Sequence, residues 1–166
     1  MRRLPVFVLI SFALLLVYPN AEAQIGGKKR GDPRVREILT KADLNFELDS
    51  DGDFKIGNKF DNGRTQLAFI DSDVSKLFGL EIRDVWSLAL ISDSPLSADI
   101  ANNLLRENGR VKLGAWQVKK VKDIYIVVFA AKISADADRD TLLTTLQVVT
   151  QAADEKEKEL SNNDEL

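Results

Sequence analysis

The sequence predicts an α+β domain in which a single antiparallel sheet packs against helices. Three observations favour this class: segments that alternate apolar and polar side chains, Gly- and Asn-containing turns between them, and amphipathic helical stretches. The predicted order of elements is α-β-β-β-β-α-β-β-α, without an internal repeat.

The first half of the domain is predicted to be a helix followed by a three-stranded meander. Asp32 is a favoured N-cap and Pro33 fits a first helical turn, so the helix begins there and runs to about Ala42. The strands are expected at residues 44–48, from Phe54 onward and at residues 65–71, with turns at Asp51-Gly52 and Asp61-Asn62-Gly63.

The second half begins with a connection at residues 72–82, followed by a strand at 84–92 that is apolar on both faces and is expected to be central. Ser94-Pro95 indicates the start of a helix that ends at Asn108-Gly109. Two strands are expected at 111–118 and 124–133, joined by a polar turn at 119–123. A last helix begins within 135–141 and carries its buried stripe to Ala153, after which the charged residues predict a solvated, fraying end.

Residues 1–23 have the three parts of a secretory signal peptide: a basic start, an apolar stretch of about 15 residues and the cleavage motif Ala21-Glu22-Ala23. An uncleaved anchor is the alternative, but the stretch is shorter than the roughly 20 residues that span a bilayer. We therefore expect an exported protein, periplasmic or secreted, without a stable membrane anchor after cleavage. The predicted organisation is a signal peptide at 1–23, a flexible basic leader at 24–31, the α+β domain at 32–160 and a frayed acidic tail at 161–166.

The composition removes several classes of chemistry. The 166 residues include neither histidine nor cysteine, which excludes Ser-His-Asp and Cys-His nucleophilic sites, an ordinary zinc site and lipid attachment through a thiol. The formal net charge of −3 gives no electrostatic reason to bind nucleic acid. We expect no cofactor and no enzymatic activity.

Residues 47–58 look like a calcium loop, because Glu47, Asp49, Asp51 and Asp53 alternate and a glycine occupies the sixth position. An EF-hand requires Asp at the first position and Glu at the twelfth, and Glu47 and Asn58 stand there instead. A hairpin turn with exposed acids is the favoured interpretation, and a divalent-cation site is the alternative.

Three apolar residues are candidates for contacts with a partner protein. Ile100 and Leu104 lie on one stripe of the middle helix, and Trp116 is flanked by small and polar residues that would allow its ring to line a groove. A position in the core is the preferred interpretation for Trp116, and Trp86, in the central strand, is also expected in the core.

Four segments resemble the YbjN-like family: ADLNFELDSDGDFKI, AFIDS, LLRENGRVKLGAW and LQVVTQAADEKEKEL. The resemblance covers about residues 33–160. It implies the fold of type III secretion chaperones and a role among bacterial sensory transduction regulators. Export is unexpected for a cytoplasmic regulator, so the resemblance supports the fold more than the role.

The resulting expectation is a non-enzymatic module, chaperone-like or regulatory, that binds a protein partner of unknown identity through a sheet face or a helix-flanked groove. By analogy with type III chaperones, the stripe of Ile100 and Leu104 would form a homodimer. The alternatives are a carboxylate-based divalent-metal binder or hydrolase in the envelope, and a carrier of a small apolar ligand.

Overall fold

The computed structural model describes residues 30–161. The predicted signal peptide, most of the predicted leader and residues 162–166 of the predicted tail lie outside this range. The helices are α1 Pro33–Lys41, α2 Ala98–Asn108 and α3 Arg139–Ser161. The strands are β1 Glu47–Leu48, β2 Phe54–Lys59, β3 Thr65–Ile70, β4 Ser75–Leu77, β5 Leu80–Ser92, β6 Ala115–Val121 and β7 Ile124–Ser134.

The seven strands form one antiparallel sheet in the order β1-β2-β3-β5-β7-β6, with β4 paired to the first residues of β5. The sheet and its helices confirm the predicted α+β class. The longest strand, β5, lies between β3 and β7, as its apolar sequence predicts.

One face of the sheet, here called the core face, carries the main hydrophobic core. Its two central rows are Phe54, Ile70, Val85 and Ala131, and Ile56, Ala68, Ser87, Phe129 and Trp116. All three helices pack on this face: Leu39 of α1, Leu104 of α2 and Val149 of α3 belong to the same buried cluster as these rows. Full burial of each such side chain contributes about 1.5–3 kcal/mol.

A buried ionic cluster joins the start of α1 to the sheet. Asp32 caps the helix by accepting a hydrogen bond from the Arg34 backbone at 2.8 Å. Its carboxylate also pairs with the guanidinium of Arg83, a side chain that is only 1% exposed. Burial opposes ionisation of Asp32, but hydrogen bonds from Arg34 and Arg83 hold its pKa well below its usual range.

The prediction of a connection without regular structure at residues 72–82 is wrong, because Ser75–Leu77 and Leu80–Ile82 form a β-hairpin. The predicted turn at 119–123 is also too long. Strand β6 starts later than predicted and continues to Val121, and the reversal takes only Lys122 and Asp123, with Lys122 at φ +55°. The predicted ends of this strand are wrong because the lysines of an exposed edge strand have the same composition as a polar turn.

The predicted solvated end is wrong for residues 154–161, because α3 continues to Ser161. Lys156 and Glu157 are buried at 5% and 1% exposure. Lys156 bridges Glu107 of α2 and Glu159, with 2.6 Å to each carboxylate oxygen. Partners remote in sequence therefore convert a charged helix end into a packed one.

No helix within residues 30–161 has both the length and the apolar character needed to span a bilayer.

Candidate binding surface

The second face of the sheet, here called the open face, is crossed by a row of paired residues from five strands. The row consists of Lys55, Phe69, Trp86, Ala130 and Ala115, each opposite the next in the strand register. Residues opposite one another in neighbouring strands point to the same side of a sheet. The helices all pack on the core face, so this row faces away from them.

Phe69 and Trp86 form the centre of the open face. Their rings stack with centroids 4.3 Å apart and an interplanar angle of 14°. Both side chains are half-buried, as are their apolar neighbours Leu67 and Leu88 on the same strands. A stacked aromatic pair at this distance contributes about 0.5–1.5 kcal/mol beyond its buried area, so the pair is a rigid platform.

A hydrogen bond fixes the orientation of the indole. The Trp86 Nε1 group donates to Asp71 Oδ1 at 2.8 Å, where β3 ends. Burial raises the pKa of Asp71, although the bond from Trp86 lowers it in part. The polar edge of the indole is therefore satisfied within the domain, and Phe69 stacks on one of its faces, so a partner can contact only the half-exposed remainder of the ring.

Lysines flank the aromatic pair on both sides. Lys119 Nζ lies over the Trp86 ring, 4.9 Å from its centroid, and Lys55 stands directly opposite Phe69 on β2. Neither lysine has an ion-pair partner within residues 30–161, whereas Lys132 on the same face pairs with Asp84 at 2.6 Å. Glu47 stands opposite Lys55 on β1, and Lys119 acts electrostatically on Asp71, so each lysine has a carboxylate nearby without a close ion pair among the described residues. The platform therefore combines apolar surface with two lysines whose charges are only partly balanced.

The open face also exposes aliphatic side chains near one end of the sheet. Ile91 of β5 is 49% exposed and Val121 of β6 is 47% exposed. Both point to the same side as Trp86, because Ile91 pairs with Ile126 on β7 and Val121 pairs with Ile124. The apolar surface thus continues from the aromatic pair towards the ends of β5 and β6.

The predicted metal-ligating acids lie in the turn between β1 and β2. Asp49 Oδ1 accepts backbone hydrogen bonds from Asp51 and Asp53 at 2.9 and 3.0 Å, and Asp53 Oδ1 accepts one from Ser72 at 2.7 Å. Glu47 stands apart on β1, opposite Lys55. These carboxylates thus organise the turn, and no group of three acids within residues 30–161 is arranged to hold a metal ion.

The structure places the three predicted partner-binding residues towards the core. Leu104 is 4% exposed and Trp116 is 8% exposed, and Ile100 packs partly buried against the same cluster. Trp116 Nε1 donates to Glu107 Oε2 at 2.8 Å, and its ring meets Phe129 edge to face. Little of the Ile100–Leu104 stripe is therefore left to contact a second copy.

The position of Trp86 contradicts the prediction that it lies in the core, because its side chain is half-buried on the open face. Residues 84–92 have apolar side chains on both faces of the strand, and that pattern indicates that other elements pack on both faces. Three helices packed on one face supply cover on one side only. Leu67 and Phe69 lie on the neighbouring strand β3 and point to the open face. These two residues are the signal in the sequence that both faces of the sheet are apolar over more than one strand.

An apolar groove of about 240 Å³ lies on the other side of the molecule, between α3 and β2. Its apolar lining includes Leu44, Ile56, Leu143 and Leu146. Pockets that enclose small ligands measure about 300–1,000 Å³. The groove is below that range, so it favours a carrier of small apolar ligands less than the open face favours a protein contact.

No protein-family model matches the chain, and no curated protein is significantly similar to it. The resemblance to the YbjN-like family therefore stays a prediction.

Proposed function

We propose that this chain is an exported, non-enzymatic module that binds an acidic, partly apolar protein segment on its open face. The observation that carries the proposal is the stacked pair of Phe69 and Trp86 on a face that the helices do not cover. Rigid aromatic side chains that are half-exposed are the residues most often found at the centre of protein interfaces.

The charges indicate the kind of segment. Lys55 and Trp86 are two strands apart, about 10 Å, and Lys119 lies over the indole, so an apolar contact would be flanked by positive charge on either side. A segment with an apolar side chain against the exposed parts of the rings and carboxylates near the lysines satisfies both features. Such complementarity adds to the association rate and selects the partner.

The resemblance to the YbjN-like family and to type III secretion chaperones agrees with a role in protein binding, chaperone-like or regulatory. Homodimer formation remains a separate prediction. The buried position of Leu104 lends no support to the predicted helix stripe as the contact surface.

The test is to capture partners of the chain from Gln24 onward in the exported fraction, and then to measure each purified partner by calorimetry. Trp86→Ala is expected to weaken binding by about 30-fold or more, the loss typical of an interface hot spot. Lys119→Glu keeps the core intact and is expected to weaken binding most at low salt.

Leu105→Ala is the matched control, because Leu105 is 67% exposed on α2, away from the open face. The affinity of the Leu105→Ala protein for the partner is expected to equal that of the unchanged protein. A partner that binds the Trp86→Ala and Lys119→Glu proteins as tightly as the unchanged protein would show that the open face is not the binding surface.

A further inference from the structure

The tip of the β4–β5 hairpin is the most exposed apolar feature of residues 30–161. Phe78 is fully exposed, and the leucines on either side of the turn, Leu77 and Leu80, are 52% and 63% exposed. Leu77 and Leu80 are opposite one another in the register, so the two strands end in an apolar pair capped by an aromatic ring. A phenylalanine side chain alone presents about 200 Å².

The fold does not require these side chains. All three residues of β4 are exposed, and β4 pairs with no strand other than β5 among those described. Phe78 and Gly79 occupy the two turn positions with φ of +47° and +88°, a conformation that favours asparagine and glycine. Phe78 is therefore unfavourable both for its backbone conformation and for its exposure, and such a combination points to a role outside the fold.

A charged row lies directly behind the apolar tip. Lys76 and Glu81 are opposite one another, and Glu81 is held at 2.9 Å by Arg34 of α1. Two residues of a strand separate this row from the turn, about 7 Å. The apolar part of the hairpin thus has the depth, about 5–10 Å, to which interfacial segments enter a bilayer.

We propose that the tip formed by Leu77, Phe78 and Leu80 inserts shallowly into the interface of a lipid bilayer, with Lys76 and Glu81 at the level of the headgroups. The tip is a turn that exposes three apolar side chains, so a protein partner would need a pocket shaped to it, whereas a bilayer needs none. The formal net charge of −3 gives no general attraction to anionic lipid, so insertion rests on apolar contact. This proposal is independent of the open face.

The experiment measures sedimentation of the chain from Gln24 onward, which keeps every core residue, with phosphatidylcholine vesicles. Half of the protein is expected to bind at about millimolar lipid, weaker than a single myristoyl chain at about 10⁴ M⁻¹. Phe78→Asn suits the turn conformation and so preserves the fold, and it is expected to weaken binding at least about tenfold. Leu105→Asn, which removes an exposed aliphatic residue of α2 outside both proposed surfaces, is expected to bind as the unchanged protein does.

A Phe78→Trp protein locates the tip directly. Its additional fluorescence, relative to the unchanged protein, is expected to shift to the blue with vesicles and to be quenched by lipids brominated near the headgroups. The proposal is overturned if the unchanged protein does not sediment at 5–10 mM lipid, on the order of ten times the expected midpoint. It is equally overturned if Phe78→Asn binds undiminished, or if binding requires anionic lipid and disappears in salt. The proposal is also refuted if a protein partner shields the tip from solvent and vesicles do not.

Discussion

Removing the buried guanidinium of Arg83 is expected to destabilise the domain by about 3 kcal/mol. This group donates to the backbone oxygens of Asp71 and Ser72 and to the carboxylate of Asp32, which is 8% exposed. Arg83→Met would keep most of the apolar stem but leave these acceptors without their donor. Breaking a buried ion pair costs about 3–5 kcal/mol, and Arg34 still holds Asp32 at 2.7 Å, so the lower limit applies.

The same change is expected to alter the response to acid. The pKa of Asp32 is lower in the folded protein than its ordinary value of 3.8. The ionised carboxylate therefore stabilises the fold above that pH, and the stabilisation is lost as the pH falls from about 4 towards the folded-state pKa. Arg83→Met removes one of the two guanidinium groups that lower the pKa, so its stability should fall less steeply with acid.

Urea unfolding followed by tryptophan fluorescence at pH 7 and pH 2 measures both effects, because only the more acidic pH approaches the folded-state pKa of Asp32. Arg110→Met is the control, because Arg110 is exposed after α2, and its loss is expected to stay within about 0.5 kcal/mol. A loss below about 1 kcal/mol for Arg83→Met, or an unchanged dependence on pH, would refute the reasoning.

Three further changes test the packing. Lys156→Ala is expected to cost about 1–2 kcal/mol in urea unfolding, since it removes a buried side-chain stem and the charge shared by Glu107 and Glu159, and the exposed neighbour Lys158→Ala less than about 0.5. Equal losses would mean that α3 frays there after all. Gly114→Ala would place a Cβ 2.6 Å from a core ring, whereas Gly63→Ala, at a similar positive φ, meets nothing within 4 Å. Thermal melts should show a loss larger by about 1–3 kcal/mol at Gly114, and no difference would contradict the close approach. Phe78→Asn is expected to raise stability by about 0.5–1 kcal/mol, because asparagine tolerates a positive φ, and a loss would contradict the strain.

The predicted elements that the structure confirms are those with a local physical cause. Asp32 and Pro33 start a helix through a cap and a fixed φ, and both effects act within a few residues. The alternation in β2 and β3 survives because burial on one face repeats every two residues. The apolar stripe of α3 to Ala153 likewise follows from helical periodicity.

The candidate sites could not be predicted in the same way, because they depend on which side the helices take. Trp86 and Leu104 are both apolar residues in periodic segments, yet one faces out of the sheet and the other into the core. Nothing local to either residue distinguishes these outcomes. The sequence does not predict the hairpin at Phe78 for a related reason. An exposed phenylalanine in a left-handed turn contradicts the usual residue preferences of such turns.

The sequence by itself determined the α+β class and excluded chemistry that needs histidine or cysteine, because periodicity and composition are properties of the chain alone. Only the tertiary structure decided that the sheet keeps an open aromatic face and that the charged end of α3 is packed. Both depend on contacts between residues far apart in the chain: Lys156 lies 49 residues beyond Glu107, and Trp86 lies 17 beyond Phe69. Such contacts form when the whole sheet selects one side for its helices, and no short segment carries that choice.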